Sequence, residues 1–291
     1  MVLTKMVYEH EIPEGSKLYF SETAKLKREI EHKASTILQD EGFDEIVTPL
    51  FSYHQHQSIE DAREVIRVND TQNHQMTLRA DSTIDVVRIL EKRLGRNTDH
   101  KKWFYIQPVV RYPSTETYQI GSEIIGENKL RGLLGVATKI FESLECQPLL
   151  QLSNINIPKI LVKEFGFDLD LFKRIEVQAL RAKGLDWMDD LVYLNKADQI
   201  TDELLEKVPA SIKVELLKLK ELAETISYEN VVVAPLYYAK MRYYDELFFR
   251  FIHENKVLSR GGKYLNDGAS SVGFALYTDE LIEIIHMKRR G

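Results

Sequence analysis

Glu123 is the side chain that most needs a chemical explanation. It falls in the run Tyr118-Gln119-Ile120-Gly121-Ser122-Glu123-Ile124-Ile125-Gly126. Strand alternation there puts Gln119, Gly121 and Glu123 on one face and the isoleucines largely on the other. Glycines at 121 and 126 clear space beside it. A carboxylate on a sheet face crowded by aromatics is costly to desolvate unless a cation or several hydrogen-bond donors meet it. The spacing leaves two readings open, a buried receptor for a cation and an exposed strand position with a surface salt bridge. Arg79 with Asp81, and Arg111, stand at the ends of extended segments, where guanidinium and carboxylate pair readily. A structural ion pair is the simpler reading of these. Tyr237, Tyr238, Tyr243, Tyr244 and Tyr264 each join an apolar body to a polar tip. They could line a pocket, but packing in a core or dimer interface is the simpler reading of most of them.

Other chemistries have weaker support. His54-x-His56 would place two rings on one face of a strand, but no third ligand follows at a fitting spacing, so no metal is expected. Cys146 is the single cysteine. It excludes an internal disulfide, fits a reducing compartment, and has no neighbouring base to activate it. Gly261-Gly262 and Gly132-x-x-Gly135 match neither nucleotide-loop spacing, and no cofactor is expected. Acidic residues outnumber basic ones by 45 to 39, for a net charge of -6, which argues against general nucleic-acid binding. No window reaches the roughly 20 apolar residues of a membrane span and no secretory signal opens the chain. The expectation is a cytoplasmic protein.

The elements that must hold these residues can be traced in order. Ile12 to Lys17 reads as a turn ahead of a long helix over 24–40, capped from Ser21 and stopped at Glu41-Gly42. A strand at Phe43–Val47 leads into Thr48-Pro49-Leu50, and the proline suits an edge or interface position. Ser82-Thr83 opens a helix to Leu94. Trp103–Arg111 and Tyr118–Gly126 form an antiparallel hairpin about Pro113-Ser114-Thr115. A helix ending at Leu144 follows. Residues 153–226 read as an all-helical insertion. Strands return near 231–233, 247–251, 257–259 and 272–276, with a last helix over 279–287. Hairpin-linked strands among helices indicate an α+β fold around an antiparallel sheet.

Several of these segments resemble the class II aminoacyl-tRNA synthetases in collinear order over nearly the whole chain. Gly42 to Leu50 resembles motif 1, the dimer-interface helix and strand ending in proline. Leu78-Arg79-Ala80-Asp81-Ser82-Thr83 is similar to a signature of histidyl-tRNA synthetase and its regulatory paralogue. Phe104–Arg111 followed by Gln119-x-Gly121-x-Glu123-x-x-Gly126 resembles motif 2 and the histidine-binding strand. Ser259-Arg260-Gly261-Gly262-Lys263-Tyr264 resembles the family's Gly-Gly-Arg-Tyr, and Val272–Leu276 the strand of motif 3. The resemblance implies a class II synthetase-like antiparallel sheet flanked by helices, with the 153–226 insertion, spanning 1–291 without an anticodon-binding domain. It also implies a homodimer built through residues 42–50 and the helix before them.

Departures from the synthetase pattern bear on function. After the motif 2 arginine the chain reads Arg111-Tyr112-Pro113, and the loop looks shortened. Glu280 stands where the resemblance places the motif 3 arginine that grips the γ-phosphate. Ala239 stands where it places a catalytic arginine. Adenylation needs cations on the phosphates, and losing one such contact commonly costs ~3 kcal/mol. Asp81, Thr83, Arg111, Gln119, Glu123, Tyr243 and Tyr264 nevertheless match family positions that surround histidine. A retained amino-acid pocket beside lost catalytic cations resembles the regulatory subunit of the short-form ATP phosphoribosyltransferase. That resemblance implies a non-catalytic subunit that pairs with a catalytic ATP phosphoribosyltransferase subunit in a hetero-oligomer and conveys L-histidine feedback. Two alternatives stay open, an active histidyl-tRNA synthetase-like ligase and a scaffold paralogue with an empty pocket.

Overall fold

The computed structural model describes residues 11–53, 59, 61–94, 98–239, 244–266 and 269–290. Among the described residues, the principal sheet has eight strands: β1 (Asp44–Glu45), β5 (Lys102–Arg111), β6 (Thr115–Ile124), β11 (Ala269–Tyr277), β10 (Lys256–Asn266), β9 (Tyr244–His253), β7 (Leu149–Asn154) and β8 (Val231–Val233), in that spatial order. The pairs from β5 through β7 are antiparallel, and the short edge strands β1 and β8 run parallel to their neighbours. A small antiparallel sheet holds β2 (Phe51–Ser52), β4 (Gln75–Leu78) and β3 (Arg67–Asn69).

Alternation decides what each face of the large sheet carries. Phe104, Ile120, Val272, Phe274, Leu276 and Phe249 point to one side and are buried in the main core. Three amphipathic helices cover that side: α1 (Ser21–Asp40), α3 (Leu130–Ser143) and α10 (Thr278–Arg290). The intervening residues of the same strands, Tyr105, Gly121, Glu123, Gly273, Gly262 and Tyr264, therefore face the other way. That is the face the hairpin pattern predicts for Glu123. Between β7 and β8 the chain is helical, from α4 (Asn156–Phe165) through α5 (Leu169–Arg174), α6 (Val177–Arg181), α7 (Met188–Tyr193) and α8 (Asp202–Lys207) to α9 (Ala210–Glu224).

Local expectations differ from the structure in several places. Strand β7 has no counterpart in the sequence reading: its residues are buried on both faces, so no alternation announces it. The strand expected over 43–47 shortens to Asp44–Glu45. Helix α1 begins from Phe20, not from a Ser21 cap, because the Thr23 hydroxyl both accepts from the Phe20 amide and donates to its carbonyl. Gly42, at φ +80°, closes that helix as expected. The motif 2 hairpin turns through Tyr112, Pro113 and Ser114, which is indeed a short connection.

Arg79 takes a purely architectural part. It is buried and donates to the carbonyls of Pro108 (2.9 Å), Thr48 (2.9 Å) and Pro49 (3.3 Å), tying the 48–50 segment to β5. Hydrogen bonds to carbonyls satisfy it where an ion pair was expected, because the crossing backbone presents carbonyl oxygens that lack a sheet partner.

Candidate functional site

Glu123 is completely buried. Tyr264 donates its hydroxyl to Oε2 at 2.8 Å and Tyr105 donates to Oε1 at 3.3 Å. The Tyr105 hydroxyl also lies 3.1 Å from Thr83 Oγ1. Burial pushes the Glu123 carboxyl up to about 8, overcoming the opposing effect of the hydroxyl hydrogen bonds. Both tyrosine hydroxyls are held well above their ordinary value, by burial first and the neighbouring carboxylate second. They therefore remain donors.

Glycines across the sheet make room for this group, though not the ones expected. Glu123 sits opposite Gly273, where an added Cβ would lie 1.8 Å from its Oε2. Gly121 faces Tyr105 across the hairpin, and its missing side chain is replaced by that ring: a Cβ there would lie 2.1 Å from Tyr105 Cζ. Gly126, at φ +70°, serves the turn after the strand. The clearance lies across the strand pairing and not along the strand, so sequence spacing misplaced it.

Asp81 caps α2 (Ser82–Ile89), accepting from the Ile84 amide at 3.2 Å, and is nearly buried. Burial raises its carboxyl too, against the pull of the Arg111 charge. Arg111 is the more open of the expected residues. It pairs with Glu64 at 3.0 Å and donates to the Ala80 carbonyl at 3.2 Å. Gln119 is half-buried, on the Glu123 face, with Gln107 opposite on one side and Tyr277 on the other. Tyr243 lies outside the described residues, as do His54 and His56. Tyr244 is buried and stacks on Phe248, with ring centroids 5.9 Å apart.

Thr83, Glu123 and Tyr264 thus meet through hydroxyl hydrogen bonds, with Asp81 and Arg111 beside them. Sequence reasoning missed Tyr105, Tyr277 and Glu64. Tyr105 had a usable signal: an aromatic directly opposite a glycine in a hairpin can lay its ring over that glycine. Chemically the group is two buried carboxyls and several hydroxyl donors, groups whose chemistry suits a small cationic partner.

The two catalytic departures have definite settings. Ala239 is buried in an apolar cluster with Ile155, Tyr244 and Phe248. Glu280, at the start of α10, pairs with Lys256 at 3.0 Å. It borders a cavity of about 530 Å³ that Arg260, Tyr277, Thr115 and Lys17 also line.

The family model described as Histidyl-tRNA synthetase matches residues 18–281. The chain is 47% identical to an ATP phosphoribosyltransferase regulatory subunit of Wolinella succinogenes, over 98% of this chain and 99% of that one. The chain belongs to the family of ATP phosphoribosyltransferase regulatory subunits. A second member, from Helicobacter hepaticus, is 42% identical over 96% of this chain and 99% of its own length. Among solved structures, an ATP phosphoribosyltransferase regulatory subunit/histidyl-tRNA synthetase of Bacillus halodurans superposes with a TM-score of 0.81 at 19% identity, covering 96% of this chain and 83% of that one. That likeness bears on the fold, which is class II synthetase-like α+β, as the motif order implied. Among the described residues, no helix of this family member is long and apolar enough to cross a membrane.

Proposed function

We propose that this chain is the non-catalytic regulatory subunit of an ATP phosphoribosyltransferase and binds free L-histidine through the group around Glu123, conveying feedback to a catalytic partner. The observation that carries the ligand reading is the fully buried Glu123 carboxyl with hydroxyl donors on both oxygens. Hydroxyls ease its burial without supplying a positive charge, so an ammonium or imidazolium that reaches the ionised carboxylate gains a charge-assisted contact. The partner reading rests on relatives that carry the regulatory-subunit description over nearly their full length. Loss of ligase activity rests on Glu280 and Ala239: one sets an anion beside the cavity and the other leaves an apolar surface.

One preparation tests both parts. Titration calorimetry is expected to show saturable heat with L-histidine, and histidine-dependent exchange of pyrophosphate into ATP is expected to be absent. No heat would favour a scaffold that binds no ligand, and steady exchange would favour a working ligase.

The subunit is also proposed to form a two-fold dimer through the segment after α1. Val47, Phe51 and Tyr53 leave apolar surface in solvent there, with Val47 77% exposed and Phe51 51% exposed. Large apolar side chains exposed together mark an association surface, and two-fold pairing is the commonest closed arrangement. Sedimentation velocity at micromolar concentration is expected to give twice the 33.8 kDa chain mass. Val47→Asp together with Phe51→Asp is expected to return it to the monomer, whereas a wild-type monomer would remove the claim.

A further inference from the structure

Strand β9 is irregular beside the Glu123 group. Gly262 is opposite Phe248 and Tyr264 is opposite Tyr244, so Lys263 faces the three residues Asp245, Glu246 and Leu247. Glu246 has φ +75°, in the left-handed region that a residue with a Cβ seldom adopts. Such a conformation persists where the surroundings over-determine it. The bulge folds β9 enough for the rings of Tyr244 and Phe248, four residues apart, to stack. Strand β10 keeps its register with β11 throughout this stretch. Alternation therefore holds along it, and Tyr264 faces Glu123 while Lys263 points to the opposite side of the sheet.

The helical insertion holds this bulge at several points. The Ile155 amide donates to the Glu246 carbonyl at 2.8 Å. Lys159 of α4 lies 3.9 Å from Asp245. Lys218 of α9 donates to one Glu246 carboxylate oxygen, and Lys263 donates to the other at 2.6 Å. Lys218 also donates to Glu215 at 2.8 Å, and Glu215 is buried and accepts from Asn154 at 2.8 Å. Burial pushes the Glu246 carboxyl up, but the two ammonium groups outweigh it and hold the carboxyl below its ordinary value. Glu246 is therefore an anion at neutral pH, clamped between the insertion and the residue that precedes Tyr264.

We propose that Glu246 is a positioning residue that couples helix α9 to the Glu123 group, by fixing the part of β10 from which Tyr264 donates to Glu123. The clamp and the Glu123 group lie on opposite faces of the sheet, so the coupling runs through the β10 backbone. A shift of α9 moves Lys218 and Glu246, then Lys263, and with it the Tyr264 ring. Coupling between two sites is reciprocal, so a change at Glu123 is felt in α9 as well. The coupling stands apart from the ligand reading given above, and on that reading it carries occupancy of the Glu123 group to the insertion.

Two measurements test this, one in each direction. Hydrogen exchange is read by mass spectrometry on the wild type and on Tyr264→Phe, which removes the hydroxyl that meets Glu123. Exchange over residues 210–224 is expected to quicken about fivefold or more, while residues 169–181 of the same insertion keep the wild-type rate. Melting followed by circular dichroism from pH 5 to 9 reads the reverse direction. Tyr264→Phe takes a donor from the Glu123 carboxylate, so the pH at which stability stops falling is expected to rise by about one unit. Glu246→Gln and Lys263→Met are expected to move it the same way by a smaller amount. Glu246 itself titrates on the acid side of this window. Glu246→Gly accepts the left-handed backbone but lacks the carboxylate. It is expected to match Glu246→Gln, and it serves where that variant fails to fold. Glu31→Gln, which breaks a buried ion pair on α1, is expected to lower the melting temperature without moving the profile. Wild-type exchange over 210–224 in Tyr264→Phe, or an unmoved profile in the Glu246 variants, overturns the coupling and leaves Glu246 a local structural residue.

Discussion

Glu123→Gln is expected to weaken histidine binding about tenfold or more, the equivalent of losing a charge-assisted hydrogen bond worth ~1.5–3 kcal/mol in a desolvated site. Glutamine keeps the size and removes the charge. The same change should alter how stability depends on pH. The buried carboxyl titrates near 8 against an ordinary 4.5. Between those values the folded protein holds a proton that the unfolded chain has released, so wild-type stability falls as pH rises across that window. For so fully buried a group the loss is on the order of 5 kcal/mol. Glutamine cannot ionise, so the variant should lack this slope and melt above the wild type at pH 8 to 9. Histidine should bind the ionised carboxylate, and binding below pH 8 should release a proton. Calorimetry in buffers of different ionisation enthalpy reads that proton directly. Equal histidine affinity in the two proteins would reject Glu123 as the contact, and parallel melting profiles would reject its buried titration.

Gly121→Ala is expected to damage both fold and site. The new Cβ would stand 2.1 Å from Tyr105 Cζ, inside the ring's own volume. Tyr105 is completely buried and packs with Val86 and Leu90, so its ring cannot simply swing into solvent. Overpacking of this kind costs roughly 1–3 kcal/mol and sometimes more, enough to lower the melting temperature by about 2–10 °C for a chain of this size. Displacing the ring also removes its hydroxyl from Thr83 and Glu123, so histidine affinity should fall along with stability. Removing the ring supplies the control. In a Tyr105→Ala background, the further change Gly121→Ala should cost much less, because the two sites share one volume and their effects do not add. Additive melting shifts would mean that the close approach across the hairpin is not what this glycine provides.

Part of this could be read along the chain and part could not, and the division follows the geometry of strands. Alternation over 118–126 put Gln119, Gly121 and Glu123 on one face because side-chain direction in a strand has a period of two, a property of local backbone alone. The collinear motif resemblances carried the class II fold and the family. The helix stop at Gly42 was likewise local. Strand β7 escaped notice because burial on both faces erases the alternation that would reveal it.

The sequence by itself determined that Gln119, Gly121 and Glu123 would share one face of a strand and that Arg111 would stand at the end of its hairpin partner. Only the tertiary structure decided what each of them touches. Glu123 is accommodated by Gly273, 150 residues further along the chain, and its hydroxyl donors come from Tyr105 and Tyr264 on two other strands. Arg79 became a tie to carbonyl oxygens and Arg111 the partner of Glu64 because the segments crossing them offered those oxygens first. Arg250 and Arg260 are adjacent through strand register alone. Cross-strand neighbours are set by which strands pair and where, and in an antiparallel sheet that pairing joins residues far apart in the chain, out of reach of any local pattern.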